Sequence, residues 1–331
     1  MTGRIIRVVI SLIIIMIMTL PSASCSPKTA QVNNPISICF DGSNIWTANY
    51  TDNSITELSA TDIKQIRTCE VGEHPKAVRF DGQNIWAVNF SSNDVTVIRA
   101  RDGIPVGTYP AGVNPIAICF EGPNVWTANV GNSTVTRLNA GDGSLIGEYG
   151  VGQFPYDICF DGTNVWTANL GDDSVTEIKA SDGSLVGTYQ VGSGPIAICF
   201  DGANIWTANI KGNSVTKLSA QDGSVVGNYG VGFGPSAICF DGNNIWTADS
   251  KGNGVTKLRV SDGGLEGSYE VGMNPSAICF DGSTIWTANF SSNTVTKLNG
   301  NQISKWLILV GLAATALAFL WVIRIKKEPA G

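Results

Sequence analysis

The chain has 331 residues, of which 15% are charged, and its 21 Lys and Arg against 27 Asp and Glu leave a formal net charge of −6. No long basic run is present, so the electrostatic footprint of a nucleic-acid binder is missing. The one histidine, His74, excludes polyhistidine metal centres and leaves imidazole catalysis a single position.

Residues 1–24 read as a signal peptide. Arg4 and Arg7 precede an apolar run from Val8 to Leu20, and Pro21-Ser22-Ala23-Ser24 supplies small residues for cleavage. An uncleaved anchor is the alternative. Cys25 follows at once, where a bacterial lipoprotein carries its acylated cysteine; the other reading is an unmodified residue near the mature N-terminus.

Residues 25–302 form a repeat array. Trp46, Trp86, Trp126, Trp166, Trp206, Trp246 and Trp286 stand 40 residues apart. The fifth copy shows the pattern: Pro195-Ile-Ala-Ile-Cys-Phe-Asp-Gly, Asn204-Ile-Trp-Thr-Ala-Asn, Asn213-Ser-Val-Thr-Lys-Leu and Ser224-Val-Val-Gly-Asn-Tyr. Each piece is a short strand bounded by Gly, Asn, Asp or Pro, and the Asp-Gly pairs are hairpin signals. Four strands per copy without a helical period predict an all-β, seven-bladed propeller. The seventh copy stops after Val295-Thr-Lys-Leu298, lacking its fourth strand, while Lys28 to Val32 lies in the fourth-strand register. The N-terminus is therefore expected to complete the last blade, removing an unpaired sheet edge.

The Val-Gly-x-x-Pro, Phe-Asp-Gly and Ile-Trp-Thr-Ala-Asn pieces resemble the YVTN-type propeller repeat of prokaryotic surface proteins over residues 28–302. That resemblance implies the fold and an extracytoplasmic setting; the repeat family includes binding, surface and enzymatic members. More distantly, the blade pattern is similar to virginiamycin B lyase-like propellers, which implies catalysis through histidine and magnesium.

Residues that recur in every copy read first as scaffold. The tryptophans are expected to fill the space between sheets. Cys39, Cys119, Cys159, Cys199, Cys239 and Cys279 share one first-strand position and read as small buried hydrophobes, with Arg79 replacing cysteine in the second copy. Asp41, Asp81, Glu121, Asp161, Asp201, Asp241 and Asp281 follow the first strand, either as ordinary turn residues or as a ring that attracts Ca²⁺ or Mg²⁺. No resident cofactor is predicted.

Copies depart from the repeat mainly in the loops beside the axis. Glu73, His74, Lys76 and Arg79 in the second blade, with Tyr156 and Asp157 in the fourth, are the chemically varied cluster there. They read as loop drift or as a ligand site, in which His74 and Asp157 would form an acid–base pair. Tyr50, Phe90 and Phe290 occupy equivalent loop positions in adjacent blades, as a contact patch or as loop packing. Asn49-Tyr-Thr51, Asn89-Phe-Ser91, Asn132-Ser-Thr134 and Asn289-Phe-Ser291 match the glycosylation pattern.

Residues 303–331 are expected to hold one transmembrane helix and a short cytoplasmic tail. Trp306 to Ile323 carries no charge and would rise about 27 Å as a helix, and Arg324, Lys326 and Lys327 follow it. The expectation is a monomeric binding module, single-pass in the cell membrane and facing outward, with an unknown protein or glycan partner. The alternative is a lyase or lactonase-like enzyme using His74, Glu73 and Asp157 with a divalent cation.

Overall fold

A computed structural model describes residues 28–298. Both the signal segment with Cys25 and the apolar C-terminal segment lie outside them. Among the described residues no helix is long and apolar enough to cross a membrane.

The described chain forms seven four-stranded antiparallel sheets. Strand β1 (Lys28–Gln31) precedes blade 1, which is β2 (Pro35–Phe40), β3 (Asn44–Asn49), β4 (Ser54–Ser59) and β5 (Gln65–Glu70) in that spatial order. The same unit recurs five times. Blade 7 is β26 (Pro275–Phe280), β27 (Ile285–Asn289) and β28 (Thr294–Leu298), and its outer strand is β1. Lys28, Thr29, Ala30 and Gln31 pair with Lys297, Thr296, Val295 and Thr294, and Val32 N–H donates to Asn293 O at 2.9 Å. The closure expected from the truncated seventh copy is therefore present.

Each repeat tryptophan is buried between its own blade and the next. Trp46, for example, packs with Val78, Ile85 and Ile98 of blade 2. Cys39 belongs to the same cluster, and seven free thiols are found among the described residues. Burial pushes the Cys39 thiol up to about 12 and those of the other five ring cysteines higher. They stay protonated and act as packing groups; Cys39 is buried as expected, while the other five are half-buried.

A second interlock joins the outer parts of neighbouring blades. Tyr109, Tyr149, Tyr189, Tyr229 and Tyr269 lie 5.4–6.2 Å, centroid to centroid, from the tryptophans of their own blades. A Cβ added at Gly143, Gly183, Gly223 or Gly263, in the turn of the following blade, would collide with the tyrosine ring before it. Glycine also suits the positive φ of these turns. At the seam both partners change. Ala30 faces Val295 as Tyr109 faces Val95, and Ile63 takes the turn position at φ 55°, packing in Ala30's cluster.

Inside the strands, Asn49 and its equivalents in blades 3, 4, 5 and 7 accept from Thr47-type hydroxyls and donate to Ser54- and Thr56-type oxygens, whereas Asn89, with Ala87 in place of threonine, only donates, to Asp94 and Thr96. Blade 6 carries Asp249 here, opposite Gly254. Asp249 accepts from Thr247 at 2.8 Å and Thr256 at 2.6 Å, but burial outweighs these bonds and pushes its carboxyl up to about 6.

Two predictions follow from these contacts. Deleting Lys28–Gln31 removes a ladder and uncovers the apolar flank that includes Val32, so the melting temperature should fall by on the order of 5–10 °C; unchanged melting would contradict the shared blade. Asp249 holds in the folded state a proton that the unfolded chain releases near pH 4. Its contribution is thus full below about pH 4 and is lost as pH rises through about 6. Asp249→Asn should stabilise the protein by roughly 2–3 kcal/mol at pH 7.5 and little at pH 4, read from denaturant melts of both proteins at each pH.

Candidate binding site at the channel mouth

The first strand of each blade lines the central channel, and its residue after the proline changes from blade to blade. Ile36, Lys76, Ile116, Tyr156, Ile196, Ser236 and Ser276 occupy it. A cavity of about 360 Å³ opens here, on the face carrying the loops between blades. Its size is that of a small-molecule pocket. Isoleucines, including Ile36, Ile38, Ile116 and Ile278, give it aliphatic walls, while Lys76, Arg79, Tyr156, Asp157 and Phe290 bring the distinctive chemistry. Five of the expected site residues therefore do converge.

Lys76 and Arg79 both come from one inner strand, β6 (Pro75–Phe80). The half-buried Lys76 ammonium lies 4.3 Å from the Tyr50 ring centroid and 5.8 Å from that of Phe90, and desolvation lowers its pKa. Arg79 is exposed to the channel and donates to its neighbour Val78 O at 3.1 Å. It lines the central cavity, and its charge opposes the burial shifts of Cys39, Cys119, Asp157, Cys239 and Cys279, groups on five other blades. Among the described residues no carboxylate comes within ion-pairing distance of Lys76 or Arg79.

Asp157, on β14 (Pro155–Phe160), is the cavity's one carboxylate. Its Oδ1 accepts from Ile158 N–H and its Oδ2 from Ile198 N–H of the next blade, both at 2.9 Å. Burial raises its pKa, against the pull of Arg79 and the two amides. It therefore acts as a tie between blades 4 and 5. Ser236 and Ser276 direct their hydroxyls at main-chain carbonyls, of Pro275 at 2.7 Å and Pro35 at 2.8 Å.

His74 stands apart from this group. Its Nδ1 meets Ser91 Oγ at 2.8 Å, and its ring stacks on Tyr50 at 4.7 Å. It takes a left-handed turn position, φ 52°, that Asn or Gly fills in most other blades, and histidine tolerates it better than most residues. Phe154 takes the equivalent place in blade 4 with its ring exposed. The structure does not form the expected His74–Asp157 pair, because the imidazole turns to the loop and both Asp157 oxygens are held by amides. Glu73 is exposed on the rim, tied by its backbone to Ser91 and Ser92. Tyr50, Phe90 and Phe290 are half-buried rather than a free patch.

The seven turn acids are not brought together either. Asp41 accepts from Ser43 and Asn44 N–H through one oxygen and from Trp46 Nε1 at 2.7 Å through the other. The indole bond recurs at Asp81, Asp161, Asp201, Asp241 and Asp281. Glu121 reaches Asn124 and pairs with Arg137 at 2.7 Å, so neither it nor Asp81 neutralises Arg79. Among the described residues no group of three or more His, Cys, Asp or Glu is placed to hold a metal. Asn49, Asn89 and Asn289 of the glycosylation patterns are buried, whereas Asn132 is exposed. Reading the copies column by column would have found the isoleucine wall and the two inner-strand serines, which motif spacing missed.

No protein-family model and no curated protein matches this chain, so the expected membership of the YVTN-type repeat family is not shown. Among solved structures, Kuenenia stuttgartiensis hydrazine synthase aligns with TM-score 0.74 at 19% identity, covering 84% of this chain and 99% of that one. A streptogramin B lyase structure aligns with TM-score 0.71 at 21% identity, covering 82% and 97%. At these identities the chain is similar to both in fold.

Proposed function

We propose that this chain is a propeller carried on the outside of the cell membrane that works as a binding module through its channel mouth. The observation that carries the reading is convergence. Lys76, Arg79, Tyr156, Asp157 and Phe290 come from three different blades of a near-uniform repeat, and all line one cavity. The fold carries these positions to the axis in every blade, and the departures put charged and aromatic groups where sibling blades carry isoleucine, alanine, serine or cysteine. The exposed ring of Phe154, in a backbone conformation that disfavours aromatic residues, belongs to the same rim. Arg4 and Arg7 before the first apolar run, and Arg324, Lys326 and Lys327 after the last, support the outward orientation.

An enzyme is the second reading, and the likeness in fold to a lyase is what favours it. Such chemistry would draw on His74, the chain's one imidazole, together with Glu73 and Asp157. The separate engagements of His74 and Asp157 give that route no assembled acid–base pair.

Incubating the full chain in lipid nanodiscs with a small-molecule extract of its host separates the two. A binding module returns retained compounds unchanged on denaturation, and Tyr156→Ala in the cavity wall should lower the recovery about tenfold or more. Time-dependent products that vanish in His74→Ala would overturn the binding reading, since loss of a general base costs about 10²–10⁴-fold in rate. For the orientation, protease added to intact cells should digest the propeller and spare only the tail beyond Arg324; a protected propeller would overturn it.

A further inference from the structure

The charges in the cavity do not balance. Two cations, Lys76 and Arg79, face it from one strand, and neither has a carboxylate within ion-pairing distance among the described residues. The one acid, Asp157, has both oxygens engaged by Ile158 and Ile198 amides, and burial favours its neutral form. The serines that line the cavity are neutral. A partly desolvated ammonium beside a guanidinium open to the channel gains most from an acceptor that carries negative charge.

The two cations are departures, not scaffold. Six of the seven blades carry cysteine where Arg79 stands, and isoleucine is the commonest occupant of the Lys76 column. Cysteine and isoleucine pack there without a charge, so the propeller closes equally well in blades that lack these cations. Nor is Lys76 left free to swing into solvent, because Tyr50 and Phe90 hold its ammonium at their ring faces. Around both cations the wall is aliphatic, from Ile36, Ile38, Ile116, Ile196, Ile238 and Ile278. Such a wall recognises hydrocarbon, whereas a densely charged polyanion would leave it unmatched.

We infer that the channel mouth binds a small organic monoanion, a carboxylate on a hydrocarbon body, with the carboxylate at Arg79 and Lys76 and the body against the isoleucine wall. This rests on the binding reading above and specifies its ligand class. The Arg79 fork suits a carboxylate's two oxygens, and the Lys76 ammonium adds a point charge from the same strand.

Four probes of one size series test the class by titration calorimetry on the full chain in nanodiscs, with empty nanodiscs as the blank: hexanoate, hexanamide, hexylamine and acetate. Hexanoate should bind at least tenfold more tightly than hexanamide, acetate should bind more weakly than hexanoate, and hexylamine should give no heat above the blank. Arg79→Cys and Lys76→Ile, which restore residues already housed in sibling blades, should each weaken hexanoate about tenfold or more while leaving unliganded melting unchanged. Hexylamine binding as well as hexanoate, or hexanoate binding untouched by both substitutions, overturns the anion assignment. Hexanamide equal to hexanoate, with loss in Tyr156→Ala, overturns the carboxylate while the binding reading stands. Silence from all four overturns the ligand class; silence together with no retained compound from the host extract overturns the binding module as well.

Discussion

The structure depends on one hydrogen bond made in every blade, from the repeat tryptophan to the acid five residues before it. Trp46 is fully buried between sheets, and its indole N–H would be left without a partner there at a cost of about 1–3 kcal/mol. Asp41 meets it at 2.7 Å and simultaneously caps the turn that brings the second strand back. The largest core side chain is thereby fixed to the tightest turn, and both are fixed to the strand nearest the axis. At Asp241 and Asp281 burial pushes the carboxyl up, but the bonds from indole and turn prevail and hold it below its usual range. Each of the seven turn acids is engaged within its own blade.

The sequence left these acids open between turn residues and a cation ring, and the turn role is the one their bonds fill. Repetition shows that a carboxylate is needed in every copy; it does not show toward what the carboxylate turns. The architecture was legible for the opposite reason. Strand number, turn positions and closure by Lys28–Gln31 follow from spacing and from a missing strand, both of which one dimension records. Arg79, Lys76, Tyr156 and Asp157 were legible as departures, and all four share the cavity. The failed pairing of His74 with Asp157 was illegible, because it turns on two side chains that take nearer partners, Ser91 on one side and two backbone amides on the other.

The contrast between wall and rim also shows how a uniform scaffold acquires a specific site. Blade-to-blade packing fixes the buried faces of each strand, so Val, Ile, Trp and Ala barely change there. The residue after the inner-strand proline faces the open mouth and is free of that constraint. Its side chain can be exchanged without disturbing a neighbour, and a ring of seven such positions surrounds one small volume. Chemistry then accumulates by single replacements instead of by insertion of longer loops.

The seam between blades 7 and 1 differs from the other junctions in a way that bears on assembly. After blades 2 to 5 a tyrosine ring fits over a glycine turn, and after blade 1 Cys69 takes the ring's place beside Gly103; at the seam Ala30 and Ile63 pack in one cluster, Ile63 being a β-branched residue in a left-handed conformation that costs energy unless its surroundings hold it. Nearly identical repeats risk joining in the wrong number, or lending a strand to a second copy of the chain. The seam is also the one described junction closed by a segment from the other end of the chain, so the ring can shut only after the last blade has been made, with Ala30, Val32 and Ile63 packed in one cluster across the join.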